Sequence, residues 1–111
     1  LSIIGRNKDL IISGGLNVYP KEIEVVIDEI HNVKESAVIG VTHKDFGEAV
    51  VAIVVADSEK VSERTIMDVV QTKLAKFKQP KKIIFVNELP RNAMGKVQKQ
   101  ILRNNYNKLF N

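Results

Sequence analysis

The stretch of the sequence best suited to chemistry is a loop that places one lysine directly before a predicted helix. Its sequence is LPRNAMGK, residues 89–96, and Lys96 is its last residue. Proline, arginine, asparagine and glycine together are typical of a loop or turn. An ammonium group presented on such a loop can stabilise negative charge on a bound anion. We therefore interpret the chain as a body that presents Lys96.

The basic residues are concentrated around this loop. Residues 73–103 contain nine Lys or Arg residues and one acid, Glu88, whereas residues 1–72 contain seven basic and twelve acidic residues. The net charge of +4 therefore hides a strongly basic half. Such a half indicates an anionic partner, for example a nucleotide, a coenzyme phosphate or a nucleic acid. A solvated lysine face is the alternative, and charge alone does not decide between them.

Composition excludes several classes of protein. The chain has 111 residues, of which 44% are hydrophobic, so we expect a single globular domain. It has no cysteine and two histidines, so we expect neither a disulfide framework nor a metal site. No apolar run is long enough to span a membrane. The first residues lack a charged leader, so we expect no signal peptide and a cytoplasmic location.

A second candidate loop lies near the start of the chain, at Ser13, Gly14 and Gly15. Paired glycines permit positive φ angles and a close approach of the backbone to a ligand, although they suit any loop. Asn17 follows, either as an Asx-turn residue or as a polar contact to phosphate.

The elements that must hold both loops follow an α+β pattern. The predicted order is a hairpin over residues 3–12, a helix from Pro20, strands at 35–41 and 49–57, a helix capped by Ser62, a strand at 81–86 and a helix over 98–109. Residues 49–56 are continuously apolar, which is typical of a central strand, and the short connection before them favours antiparallel pairing. The sequence thus predicts a small three-stranded sheet with flanking helices plus an N-terminal hairpin.

Other polar positions are less promising. Glu22 and Glu24, near the start of the first helix, are interpreted as residues that stabilise the positive helix end, not as catalytic acids. His43 lies close to Asp45, but neighbours in sequence seldom form a working acid–base pair.

Three stretches, taken together and in order, carry a resemblance to a known family. They are GRNKD (5–9) with SGGLNVYPKEIE (13–24), KFKQP (76–80) and LPRNAMGK (89–96). They resemble the C-terminal domain of the adenylate-forming enzymes, which include acyl-CoA synthetases, luciferases and peptide-synthetase adenylation domains. The resemblance covers nearly the whole chain. Within the family, GGLNVYPKEIE and PRNAMGKVQK look most similar to malonyl-CoA synthetases.

The resemblance implies a domain organisation. Residues 1–12 would be a hinge and small hairpin leading to an N-terminal domain that this sequence does not include, and residues 13–111 would be the C-terminal lid. The whole enzyme would be an AMP-forming acid–CoA ligase of fatty acid metabolism. Malonate or another short or medium acid is the expected substrate. This chain alone is expected to be inactive or nearly so.

The resemblance also assigns roles to residues. Lys96 matches the catalytic lysine, which would reach the substrate carboxylate and the α-phosphate of ATP while acyl-adenylate forms. Lys8 matches the hinge, about which the lid would turn. The loop of Ser13, Gly14 and Gly15 would then line the tunnel for the pantetheine arm of CoA.

Further implied contacts involve the nucleotide and other partners. Arg6 matches an arginine that contacts the ribose, and Asn17 a polar position near the adenylate phosphate. ATP with Mg²⁺ and CoA would be substrates bound mainly with the N-terminal domain. The basic run at 73–82 is a candidate region for the CoA 3′-phosphate. Acetylation of Lys96 by a lysine acetyltransferase would remove the charge that the chemistry needs.

Two alternatives are weighed against a CoA ligase. A peptide-synthetase adenylation domain usually has Asp where this chain has Gln98, and more often an Asp hinge where it has Lys8. A nucleic-acid-binding module would use the basic segment, but only Phe77 and Phe85 interleave with the basic residues and no binding motif is visible. We therefore expect a CoA ligase and no nucleic-acid partner.

Overall fold

The structure, a computed structural model, describes residues 10–45, 47–57 and 59–109. These residues form β1 (Ile11–Ser13), β2 (Leu16–Val18), α1 (Pro20–Asp28), β3 (Val33–His43), β4 (Gly47–Ala56), α2 (Glu63–Lys73), a 3₁₀ turn (Lys76–Lys78), β5 (Lys82–Val86) and α3 (Lys99–Tyr106). The predicted α+β class is confirmed.

Strand β4 is the centre of a mixed sheet. It pairs along its whole length with β3, and the two are antiparallel as predicted. Its other edge pairs with β5 and, near its start, with β1, which in turn pairs with β2. β5 is parallel to β4 because α2 returns the chain to the end of the sheet where β4 began.

The sheet has five strands in this part of the chain, not the three that the sequence predicted. The two additional strands, β1 and β2, are three residues long and form a hairpin. Two of the three residues of β2, Leu16 and Asn17, are exposed, so no alternation of polar and apolar residues reveals this strand. The hairpin predicted over residues 3–12 lies mostly outside the described residues.

The buried run in β4 divides between two cores. Val50, Ala52 and Val54 join a cluster with residues of α1 and α2. The intervening residues of β4 join a second cluster on the opposite face of the sheet, with Leu89 and with Leu102 of α3. Side chains of a strand alternate between faces, so a strand covered on both faces is apolar throughout. Leu89 and Leu102 fix both ends of the segment that contains Lys96.

Helix ends agree with the sequence at some positions and differ at others. The hydroxyl of Ser62 caps α2 by accepting a hydrogen bond from the Thr65 backbone N–H at 3.2 Å, as predicted. Helix α3 ends at Tyr106 and Leu109 is 39% exposed, so the helix predicted over residues 98–109 is too long. The helical spacing of Leu109 misleads because the last turn does not reach the core. No helix in the described ranges is long and apolar enough to cross a membrane.

Candidate active site

The loop that carries Lys96 is a tight hairpin, which we call the lysine loop (residues 90–98). Arg91 and Val97 form an antiparallel bridge, and the Gln98 backbone N–H donates to the Pro90 carbonyl at 2.8 Å. Gly95 closes the hairpin with a φ of +84°, in the region where glycine carries no steric penalty. The sequence signal of proline, asparagine and glycine therefore corresponds to a closed turn.

Asn92 organises the interior of the lysine loop. Its side-chain oxygen, Oδ1, accepts hydrogen bonds from the backbone N–H groups of Met94 at 2.9 Å and Lys96 at 3.0 Å. Its own backbone N–H donates to the Lys96 carbonyl at 3.0 Å, and its carbonyl accepts from the Gly95 N–H at 2.9 Å. One residue thus satisfies both backbone polar groups of Lys96.

Arg91 fastens the lysine loop to the sheet. One guanidinium nitrogen donates to the Gly95 carbonyl at 2.7 Å, inside the loop. Another nitrogen of the same group forms an ion pair with Glu35 on β3. Charge-assisted hydrogen bonds of this kind are stronger than neutral ones. The loop is therefore held by a side chain as well as by its backbone.

The ammonium group of Lys96 is exposed and, among the described residues, has no hydrogen-bond or ion-pair partner. It lies at the edge of a polar cleft of about 660 Å³. Lys21 of α1 and Arg103 of α3 also line this cleft. Among the described residues that line the cleft, four are cations and one, Glu24, is a carboxylate, which is paired with Lys99. The remaining positive charge favours an anionic ligand.

An ion pair of low exposure lies in the wall of the same cleft. Lys99 and Glu24 are in contact at 2.7 Å, and their side chains are only 15% and 13% exposed. The Glu24 carboxylate also accepts a hydrogen bond from the Val38 backbone N–H at 2.9 Å. Glu24 therefore ties α3 to α1 and β3, and it does not stabilise the helix end as the sequence suggested. Glu22 does lie in the first turn of α1.

The second candidate loop, which we call the glycine turn (residues 13–16), joins β1 to β2. Gly14 and Gly15 have φ angles of +60° and +83°, which gives a hairpin turn with both central residues in the left-handed region. Ser13 and Gly14 line a cleft of about 500 Å³ together with Phe77, and Lys76 and Lys81 lie at its border. This cleft combines apolar surface with cations.

The structure does not bring the two candidate loops together, since none of the residues that it describes lines both clefts. Asn17 is exposed on β2, opposite Ile12. Arg6 and Lys8 lie outside the described residues. The lysine loop and the glycine turn are therefore two separate sites on one body.

Other polar groups have mainly structural surroundings. The Nδ1 atom of His43 accepts a hydrogen bond from the Asp45 backbone N–H at 3.0 Å, so this contact belongs to the turn and not to a carboxylate. Burial raises the pKa of the Asp28 carboxyl, although a 2.7 Å hydrogen bond from the Ser36 hydroxyl opposes this. In the part of the chain described, no group of three His, Asp or Glu residues could hold a metal ion.

Sequence reasoning missed several residues that hold the lysine loop or line the cleft beside Lys96. The partners Glu24 and Glu35 are far from the lysine loop in sequence, so no local pattern connects them to it. Spacing along the chain could have revealed two of the cations, because Lys99 follows Lys96 by three residues and Arg103 lies one turn further along α3. No such spacing connects Lys21 to Lys96.

Comparisons with known proteins agree with this arrangement. The profile of the AMP-binding enzyme C-terminal domain matches residues 22–96. A long-chain-fatty-acid–CoA ligase from Mycobacterium tuberculosis is 52% identical over 106 residues, which cover 96% of this chain and 21% of the ligase. A 2-succinylbenzoate–CoA ligase from Listeria monocytogenes is 46% identical over 97% of this chain and 23% of its own length.

The fold is shared with a solved structure. ATP-bound MatB from Rhodopseudomonas palustris superposes with a TM-score of 0.92 at 55% identity, over 95% of this chain and 21% of MatB. The chain thus spans about a fifth of the length of the relatives that it matches. With more than half of its residues matched by one profile, this chain belongs to the family of AMP-binding enzyme C-terminal domains.

Proposed function

We propose that this chain is the mobile C-terminal lid of an AMP-forming acid–CoA ligase and that Lys96 serves the first half-reaction. There, a carboxylate oxygen of the acid attacks the α-phosphorus of ATP, the bond from that phosphorus to the bridging oxygen breaks, and pyrophosphate leaves. A compact ammonium stabilises the charge that develops on the transferring group. The observation that carries the proposal is the Lys96 ammonium, which has no partner among the described residues and stands on a loop whose backbone is fixed.

The glycine turn suits the second half-reaction, in which the sulfur of CoA attacks the acyl carbonyl carbon and AMP leaves. Backbone without side chains can border a narrow pantetheine arm closely. We propose that Ser13, Gly14 and Gly15 border that arm. The lysines at the border of the adjoining cleft, Lys76 and Lys81, would then face the phosphates of the coenzyme.

The separation of the two sites supports a lid that works in two orientations. Because no residue of the described ranges lines both clefts, each would be presented to the active site in turn by a hinge rotation. We propose Lys8 as the hinge, residues 1–12 as the link to an N-terminal domain of the same chain, and residues 13–111 as the lid. Arg6 and Asn17 would contact the ribose and the adenylate phosphate.

The proposal also names substrates. ATP and CoA are consumed, and Mg²⁺ would arrive with ATP, because the described residues offer no metal site of their own. The resemblance to malonyl-CoA synthetases favours malonate or another short or medium acid. The relatives named above act on a long-chain fatty acid and on 2-succinylbenzoate. Since the reaction uses ATP and CoA, we place the enzyme in the cytoplasm. A peptide-synthetase adenylation domain is the alternative.

The test joins residues 1–111 to the part of MatB that precedes its matching segment. ATP–pyrophosphate exchange measures adenylate formation, and thioester formation is measured separately from CoA and supplied acyl-adenylate. Malonate, 2-succinylbenzoate and a long-chain fatty acid are compared as acids. We expect exchange and CoA thioester with at least one acid. Exchange without transfer to CoA would favour the peptide-synthetase alternative, and no exchange at all would overturn the proposal.

Lys96→Ala in this joined enzyme is the sharpest part of the test. We expect adenylate formation to fall by about 100-fold or more, because one charge-stabilising group is removed, while thioester formation stays near its original rate. Lys108→Ala, which removes an exposed lysine beyond α3, is the matched control and should change neither rate. Equal loss in both half-reactions would show that Lys96 does not have the proposed role.

Acetylation is proposed as a regulatory modification of the same residue. Lys96→Gln removes the charge as acetylation does and should reproduce the loss of adenylate formation. Mass spectrometry of the protein from cells would then be expected to find a fraction acetylated at Lys96. Finding Lys96 always unmodified would refute an acetyltransferase partner without affecting the proposed catalytic role.

A further inference from the structure

The position of the Lys96 ammonium depends on the backbone from which it projects. The side chain is long and flexible, and among the described residues no group binds its end. A reacting group misplaced by about 1 Å can lose about 100-fold in rate. Whatever fixes the backbone of residue 96 therefore bears on the chemistry that we propose for it.

The backbone of Lys96 is fixed by Asn92. The Lys96 N–H donates to the side chain of Asn92 at 3.0 Å, and the Lys96 carbonyl accepts from the backbone of Asn92 at 3.0 Å. The second bond is available to any residue other than proline at position 92. The first requires a side-chain oxygen at the distance that asparagine or aspartate provides.

An ordinary turn residue would also bond to nearby backbone, and asparagine is common in turns for that reason. Two features distinguish this case. The Asn92 oxygen reaches past Met94 to a second N–H, and that N–H belongs to the residue that carries the functional ammonium. In addition, Asn92 is exposed, so water can replace its bonds and its loss should affect order in the loop more than folding of the domain.

We propose that Asn92 is a positioning residue for Lys96, acting through its side-chain oxygen to fix the backbone from which the ammonium reaches the transferring phosphoryl group. This inference rests on the proposed function of Lys96. It assigns to Asn92 no contact with substrate. Its consequence is selective, because only the half-reaction that uses Lys96 should depend on the Asn92 oxygen.

The experiment compares three variants of the joined enzyme described above. Asn92→Ala removes the oxygen, Asn92→Asp keeps an oxygen in the same place, and Asn107→Ala makes the same truncation at an exposed position just beyond α3. Both half-reactions are measured, with kcat and KM for ATP determined separately in adenylate formation. Thermal unfolding of each variant shows whether the domain remains folded.

We expect Asn92→Ala to lower kcat for adenylate formation by on the order of 10-fold or more, with little change in KM for ATP or in thioester formation. Asn92→Asp should retain most of the rate, and Asn107→Ala should match the original enzyme. An unchanged rate in Asn92→Ala, an equal loss in both half-reactions, or an equally slow Asn92→Asp variant would overturn the inference.

The two proposals fail in distinguishable ways. If Lys96→Ala leaves adenylate formation intact, the proposed function of Lys96 is wrong, whatever Asn92→Ala does. If Lys96→Ala abolishes adenylate formation and Asn92→Ala does not reduce it, the function stands and only the positioning role is refuted.

Discussion

The lysine loop and the glycine turn contain similar glycines but are held in different ways. Gly95 and Gly15 have φ angles of +84° and +83°, and a Cβ added to either would meet no atom within 4 Å. The lysine loop is fixed by side chains, through Asn92 inside it and Arg91 bound to β3. The glycine turn is fixed by the backbone pairing of β1 with β2 and of β1 with β4.

This difference corresponds to what each region presents. The lysine loop presents a charged group at the end of a flexible side chain, so its backbone has to be held by specific bonds. The glycine turn presents bare backbone, for which the hairpin itself is sufficient. The ion pairs of the two regions also differ in exposure: the side chains of Lys99 and Glu24, beside the lysine loop, are 15% and 13% exposed, whereas those of Lys78 and Glu22, near the glycine turn, are 26% and 44% exposed.

The largest change in stability that we predict distinguishes the ion pairs of the two regions. Lys99→Met leaves the buried Glu24 carboxylate without its cation and should lower the free energy of unfolding by about 2 kcal/mol. Lys78→Met, near the glycine turn, breaks a pair with Glu22 whose side chains are 26% and 44% exposed, and should cost less than about 1 kcal/mol. Urea unfolding of the chain, followed by circular dichroism, measures both.

Two outcomes would contradict this part of the comparison. Equal losses in the two variants would mean that the lower exposure of the Lys99–Glu24 pair does not make it contribute more to stability than the Lys78–Glu22 pair. A gain in stability in Lys99→Met would mean that Glu24 is not left as an unpaired charge of low exposure, because such a charge destabilises the folded state.

The fold was predicted from sequence wherever long-range packing agrees with a local pattern. The apolar run of β4 and the cap at Ser62 are local signals, and both appear as expected. The strand at Leu16–Val18 was not predicted, because it is formed by pairing with β1 and not by any pattern of its own. The same reasoning explains why α3 was predicted too long, since helical spacing continues beyond the last residue that reaches the core.

The candidate site was predicted only in part, for a related reason. Lys96 and the glycine pair stand in motifs that can be read along the chain. Glu35 holds the lysine loop to the domain through Arg91, and Glu24 holds the start of α3 through Lys99. Both carboxylates meet these cations only when α1 and β3 pack against this segment. An acidic residue in a helix or strand gives no sign of which distant cation it will bind.

A smaller effect tests whether the two regions serve different half-reactions. Gly95→Ala and Gly15→Ala make the same change at nearly the same φ in equally open surroundings, so each should strain its loop by about 1 kcal/mol. In the joined enzyme, we expect Gly95→Ala to slow adenylate formation by up to about 10-fold and to spare thioester formation. Gly15→Ala should show the reverse.

The two glycine variants control for one another. Because their strain is similar, any difference in which half-reaction is slowed must come from location and not from lost stability. If both variants slow the same half-reaction, the assignment of separate steps to the two regions is wrong.

The smallest effect that we predict is the pH dependence of stability that comes from the Asp28 carboxyl, which accepts a hydrogen bond from Ser36. Burial raises the pKa of Asp28, the nearby Glu24 and Glu35 raise it further, and Ser36 and Lys21 oppose the shift. The folded state therefore holds the proton of this carboxyl more tightly than the unfolded state does. Stability should fall as the pH rises from the unfolded pKa of about 3.9 through the raised folded pKa, and the cost is complete at neutral pH.

Asp28→Asn removes this cost while keeping an oxygen that can accept the Ser36 hydrogen bond. At pH 7 we expect the variant to be more stable by a few tenths of a kcal/mol, because solvent screens a group this exposed. The gain should vanish near pH 3, where the carboxyl is protonated in both states. Asp68→Asn on α2 controls for the loss of one negative charge. A gain that is the same at pH 3 and pH 7 would have to come from packing, because the ionisation of Asp28 can act only where the carboxyl is charged.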